Sequence, residues 1–174
     1  MNTPTSPLAP VEVARVAAEA LEAGDLDRYS GLVHENAVFE VVPFGEKRGR
    51  VAVRGFFEEL RAALPDLSFS AEAITGDERR AAVKWRIRGT FDGEPFQGFE
   101  PNGRGFDIRG IDFLEIDGGR IRHDRIAFDG AQWARQLGLL PRRGSMAERA
   151  VTTAFNSKTR VAAWWRIARR RVAG

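Results

Sequence analysis

The sequence predicts an α+β domain, and three observations carry that prediction. Apolar residues recur at helical spacing in roughly the first third of the chain. They alternate with polar ones through the middle. Short clusters rich in Gly, Asp, Asn and Pro punctuate the alternating stretches. Helices followed by a meander of strands imply an antiparallel sheet wrapped around helices rather than alternating βαβ units.

Residues 1–9 are rich in Pro, Ser and Thr and are expected to be a flexible N-terminus. From Pro10, "VEVARVAAEALEAG" sets Val13, Val16, Ala17, Ala20 and Leu21 on one helical face, with Gly24 as the stop. Asp25 is placed to cap a second helix, "LDRYSGLVH", with His34 at its C-terminal end, where a cation meets the helix dipole favourably. "AVFEVVPF" reads as a strand. "RVAVRGFFEELRAAL" reads as a third helix with Val53, Phe56, Phe57 and Leu60 inward, ended by Pro65. "LSFSAEAIT", "RAAVKWRIRGTF", "GFDIRGIDFLEI" and "RIRHDRIAF" read as four strands joined by turns, and "GAQWARQLGLL" as a short closing helix. The domain is thus expected over residues 10–141, followed by a basic helical extension over 142–174.

Composition excludes several function classes. With no cysteine there is neither a disulfide framework nor thiol chemistry. No apolar run approaches a membrane span, and "MNTPTSPLAP" has neither a basic start nor an apolar core, so a soluble, cytoplasmic protein is expected. Nine basic residues and one acid lie from Arg142 onward, whereas the rest of the chain carries 18 basic and 23 acidic residues. The high calculated pI therefore comes from the tail, and a uniformly basic nucleic-acid-binding surface is not expected. The glycines lack the strand–GxGxxG–helix setting of a phosphate loop, and there is no Gly-x-Ser-x-Gly elbow.

The strand "FDIRGIDFLEI" raises the chemical question. One face holds Ile108, Gly110, Asp112, Leu114 and Ile116, so a carboxylate sits in the middle of the apolar face. A buried acid must be paired, protonated or functional. If the following "DGG" is a three-residue turn, Asp112 falls opposite Asp124. Two opposed carboxylates cannot both ionise easily, so one pKa should rise. A longer turn would turn Asp124 outward, and Asp129 is its rival for the inner face. His34 and His123 have no metal-ligand spacing, and no metal site is expected; His123 should point away from Asp124. Phe39, Phe56, Phe57, Phe91, Phe113 and Phe128 enrich the interior in aromatics, either as core or as the lining of an apolar cavity.

"AGDLDRYSGLVHENAVFEV" and "FQGFEPNGRGFDIRGIDFLEIDGGRI" resemble the opening and the strand–loop–strand segment of the SnoaL-like polyketide cyclases, within the nuclear transport factor 2-like superfamily. "FDGAQWARQLGLL" resembles the closing segment. The resemblance implies a cone-shaped NTF2-like fold over residues 10–141. It implies an enzyme that binds an apolar, carbonyl-bearing small molecule and performs acid/base chemistry, cyclisation or isomerisation, without a cofactor. Asp112 matches the oxyanion-hole aspartic acid of the distantly similar ketosteroid isomerase, which is held protonated, and Asp124 is the choice for the cyclases' acid/base residue. The isomerase's base and tyrosine positions fall near Val41 and Ala17, which lack those groups.

Phe39, Val41, Phe57, Trp85, Ile87, Leu114 and Phe128 are the expected substrate-lining residues. A non-catalytic ligand-binding domain and an epoxide hydrolase-like activity are the alternatives. A homodimer is expected, with no nucleic-acid partner and no membrane association. In the tail, Ser145 and Glu148 fit a capping box, a break near Asn156 and Ser157 is expected, and Trp164 or Trp165 is expected to anchor the helix on the acidic body. Anionic lipid or nucleic acid is the other reading of that basic helix.

Overall fold

The structure, a computed structural model, describes residues 8–172, with side chains described through residue 160 and at 162. The chain divides into two compact units, Met1–Leu137 and Gly138–Gly174. In the first, α1 (Pro10–Ala23) and α2 (Leu26–Gly31) precede β1 (Val33–Val42), β2 (Gly45–Arg48) and α3 (Arg50–Ala63). A meander of β3 (Ser68–Gly76), β4 (Arg80–Phe91), β5 (Arg104–Asp117) and β6 (Arg120–Phe128) follows, then α4 (Gly130–Gln136).

Local chemistry explains the boundaries. Pro10 sits in the first turn of α1, where a missing N–H costs nothing, and Gly24 ends the helix at φ 70°, a left-handed cap that favours glycine. Asp25 accepts the backbone N–H of Arg28 at 2.9 Å and starts α2. That helix stops at Gly31, so His34 belongs to β1 and not to a helix end; the nearest Arg122 guanidinium nitrogen is 3.0 Å from its Nε2. The β1–β2 hairpin was not legible in the sequence.

The six strands form one open sheet in the order β2-β1-β6-β5-β4-β3. All neighbours are antiparallel except β1 and β6, which run parallel, so the expected all-antiparallel sheet is corrected at one seam. α1 packs on β3, β4 and β5, and α3 on β1 and β2, so the sheet curls round the helices. Side chains alternate along β4: Ala81, Val83 and Trp85 are buried, while Arg80, Ala82, Lys84 and Arg86 between and beside them are more exposed. Outward-facing β5 residues explain why Phe113 is 44% exposed and Ile111 52% exposed, so Phe113 does not belong to the interior set.

In the second unit, α5 runs from Met146 to Val172 without the expected break at Asn156 and Ser157. Its start carries one half of the capping box read from the sequence, with Ser145 Oγ accepting the Glu148 N–H at 3.1 Å; Glu148 reaches back to the Gly144 N–H at 2.6 Å, one residue before Ser145, whose own N–H goes to the Arg142 carbonyl. The side chains of Trp164 and Trp165 lie outside the described residues.

Candidate active site

The interior is hollow in two adjoining places. An outer chamber, about 580 Å³ with its mouth included, is walled by α1, α3 and the inner sheet face. Val41, Phe57, Trp85, Ile87 and Phe128 all line it. An aromatic collar was not foreseen: Phe44 stands edge-on to Phe96 and to Trp133, both at 5.3 Å between ring centroids. Among the described residues that line this chamber, Asp112 alone carries an ionisable group.

Behind it lies a much smaller inner chamber, with free space of about 10 Å³, room for roughly one water or one hydroxyl oxygen. Asp112, Leu21 and Phe69 border both spaces, while Leu114, Asp124 and Tyr29 border the inner one. Its room comes from α1, which presents only Ala14, Ala17 and Ala18 there besides Leu21. Phe39 is 1% exposed in the core and lines neither chamber.

Asp112 is positioned by its neighbours across the sheet. Trp85 Nε1 donates to Asp112 Oδ1 at 2.6 Å. The indole lies flat against the sheet because its partner in register is Gly110; a Cβ there would stand 2.2 Å from Trp85 Cζ2. Burial pushes Asp112 up to about 7, while the Trp85 N–H pulls the other way.

Asp124 reaches the interior by a route other than the expected three-residue turn. Asp117 pairs with Arg120, so the turn holds only Gly118 and Gly119, both with positive φ. Unbroken pairing from that turn would face Asp124 outward. Instead the register shifts between Glu115 and Ile116: Ile116 pairs with Ile121 and Glu115 with His123, leaving Arg122 as the extra residue of a bulge. The bulge restores Asp124 to the inner face, opposite Leu114 rather than Asp112, whose partner is Ile126. The two acids are therefore diagonal neighbours on one face.

Asp124 is 1% exposed and its Oδ1 has no hydrogen-bond partner. Burial first, and the charge of Asp112 second, raise its pKa well above the ordinary value. The rivals fall elsewhere. Asp129 caps α4, accepting the Gln132 N–H at 2.9 Å. His123 points to the outer face, 3.1 Å from Glu40.

Tyr29 completes the polar end and was missed. It is the chain's single tyrosine, 3% exposed, with its ring edge-on to Phe57 at 5.0 Å. Burial, then Asp124 and Asp112, raise its pKa well above the ordinary value, so it is a neutral hydroxyl throughout the physiological range. Among the described residues, no three His, Cys, Asp or Glu side chains gather as metal ligands would. No described helix is long and apolar enough to cross a membrane.

A family model for SnoaL-like polyketide cyclases matches residues 11–137. No curated protein matches the chain significantly. Among solved structures, IdmH, a candidate polyketide cyclase from Streptomyces antibioticus, is 25% identical with a TM-score of 0.63, over 74% of this chain and 98% of that one. A candidate SnoaL-like polyketide cyclase from Jannaschia sp. CCS1 is 19% identical, TM-score 0.67, over 81% and 99%. A protein of ketosteroid isomerase-like fold from Catenulispora acidiphila, solved with trimethylamine, is 15% identical, TM-score 0.61, over 74% and 94%. With most of the first unit matched by the family model and the same fold in its structural relatives, this chain belongs to the SnoaL-like polyketide cyclase family and has the NTF2-like fold.

Proposed function

We propose that the protein binds an apolar, carbonyl-bearing small molecule and catalyses cofactor-independent proton transfer next to the carbonyl, as in a cyclisation or isomerisation. The observation that carries this reading is Asp112, an acid titrating near neutrality on the wall of an otherwise apolar, aromatic chamber. A group with a pKa close to the working pH is present in both forms, which suits it to give and take a proton. Ionised Asp112 takes a proton from the carbon next to the carbonyl, and the electron pair moves onto the carbonyl oxygen. Protonated Asp112 returns a proton to the enolate. Asp124 stays protonated while Asp112 ionises, and the two act as one proton-holding pair. This divides the work differently from the assignment the sequence implies, in which Asp112 is the fixed donor.

The test is deuterium exchange at the carbon beside the carbonyl of 1-tetralone in D2O, followed by proton NMR. The expected result is exchange faster than in buffer, rising with pH through about 7 and lost in Asp112→Leu. Binding of 1-tetralone without exchange would support a non-catalytic binding domain instead. An epoxide hydrolase-like activity is the further alternative, to be scored by diol formation from an apolar epoxide.

We also propose that two copies pair through the outer sheet face, where Ile111 and Phe113 stand exposed on the same strand as the site.

A further inference from the structure

The inner chamber is not needed to hold a reacting carbonyl at Asp112, because Asp112 already meets the outer chamber. It nevertheless carries two polar groups of its own. Asp124 is closed off from solvent, borders the chamber, and leaves Oδ1 without a partner. Tyr29 borders the same space from α2, so its ring and both carboxyls line one small cavity. Apart from Asp112 at its border, the rest of the lining is apolar. A buried acceptor left unpaired is costly, so an arrangement of this kind is completed by something that brings an O–H.

We propose that the inner chamber is a hydroxyl-recognition subsite, in which a phenolic or enolic O–H of the ligand donates to Asp124 and accepts from the Tyr29 hydroxyl. Both protein groups are suited to a partner that donates and accepts at once. The assignment rests on the ligand-cavity reading above and narrows it. The substrate is a ring compound with two oxygen functions, a carbonyl at Asp112 and a hydroxyl further in, with its apolar body against the aromatic collar. Water could bring the same O–H, and the test separates the two sources.

The probes are 2-naphthol and 2-methoxynaphthalene, which share a ring system and differ in the donor, titrated by fluorescence at neutral pH against wild type, Tyr29→Phe and Asp124→Leu. Wild type is expected to prefer 2-naphthol by about 10- to 100-fold, the range that an unpaired buried polar group implies. Each variant is expected to lose most of that preference while still binding 2-methoxynaphthalene, which also shows that it is folded. If Asp124→Leu fails to fold, Tyr29→Phe decides, since phenylalanine keeps the ring packing on Phe57. Equal affinity of wild type for the two probes would show that water keeps the chamber and would overturn the proposal, as would a preference unchanged in Tyr29→Phe. Such results would leave the 1-tetralone reading standing. Binding of neither probe would overturn both.

Discussion

Trp85 and Asp112 are joined across the β4–β5 pair by an indole N–H donated to a carboxyl oxygen at 2.6 Å, and this contact tempers the effect of burial on the acid. The bond favours the ionised acid, but burial opposes it and wins, which is why the acid titrates near 7 and not below its ordinary value.

The consequence for stability has a definite sign. In the unfolded chain an Asp titrates near about 3.9. Between that value and about 7 the folded protein holds a proton that the unfolded chain has released. Asp112 therefore makes stability fall as pH rises across this window and level off above it. Asp112→Asn keeps the acceptor for Trp85 and removes the costly ionisation. In urea unfolding it should be close to neutral at pH 4 and stabilising at pH 8, on the order of a few kcal/mol. Equal effects at the two pH values would place Asp112 among ordinary surface-like acids.

The diagonal pair titrates in order. Asp112 loses its proton first, because Asp124 is more deeply buried and then feels the charge that Asp112 has acquired. Asp112→Asn should accordingly lower the pKa of Asp124. Asp124→Asn should leave the first ionisation of Asp112 nearly where it was, since Asp124 is neutral at that stage. Carboxyl-carbon NMR across pH reads both. A large fall for Asp112 in the second variant would mean that Asp124 ionises first.

Gly110 is required by the indole beside it. A methyl group there would meet Trp85 Cζ2 at 2.2 Å and the Ala127 carbonyl oxygen at 2.7 Å, neither of which can yield cheaply. Gly110→Ala should cost about 1–3 kcal/mol by overpacking. It should also move the Trp85 indole N–H resonance, as the bond to Asp112 stretches or breaks. A full-stability variant with that resonance in place would show that the sheet has slack there.

For the proposed dimer, Phe113→Glu should shift the mass in solution towards the monomer without changing the fold, because the side chain already faces outward beside Arg125. Light scattering decides it. A variant that keeps the wild-type mass would remove this face from the interface.

How far the site could be read from the sequence follows from what each residue depends on. Asp112 was legible because strand alternation alone puts it among Ile108, Gly110 and Leu114. Val41, Phe57, Trp85, Ile87 and Phe128 followed from the same rule and from helical spacing. Phe39 failed because an inward face says nothing about whether the space beyond it is filled. Tyr29 failed because a six-residue helix gives too short a pattern to fix its inner face. The tyrosine was sought at Ala17, whose small side chain is one reason that Tyr29 has room. The turn was misjudged, yet a signal was present: Ile121 and Ile126 are an odd number of residues apart, and both can face inward only if one residue between them is extra.

That extra residue also decides which changes in chain length this protein can absorb. Removing Arg122 would convert the bulge into a regular ladder and leave Ile121, Asp124, Ile126 and Phe128 on their present sides, at the loss of its contact with His34. Removing His123 would do the same, with Arg122 taking the outward place and the contact with Glu40 lost. Removing any one residue from Asp124 to Ala127 would instead turn an outward side chain, such as His123 or Arg125, onto the inner wall. Single-residue deletions in β6 should thus be tolerated at the bulge and rejected beyond it, so length variants that remain folded should cluster at Arg122 and His123.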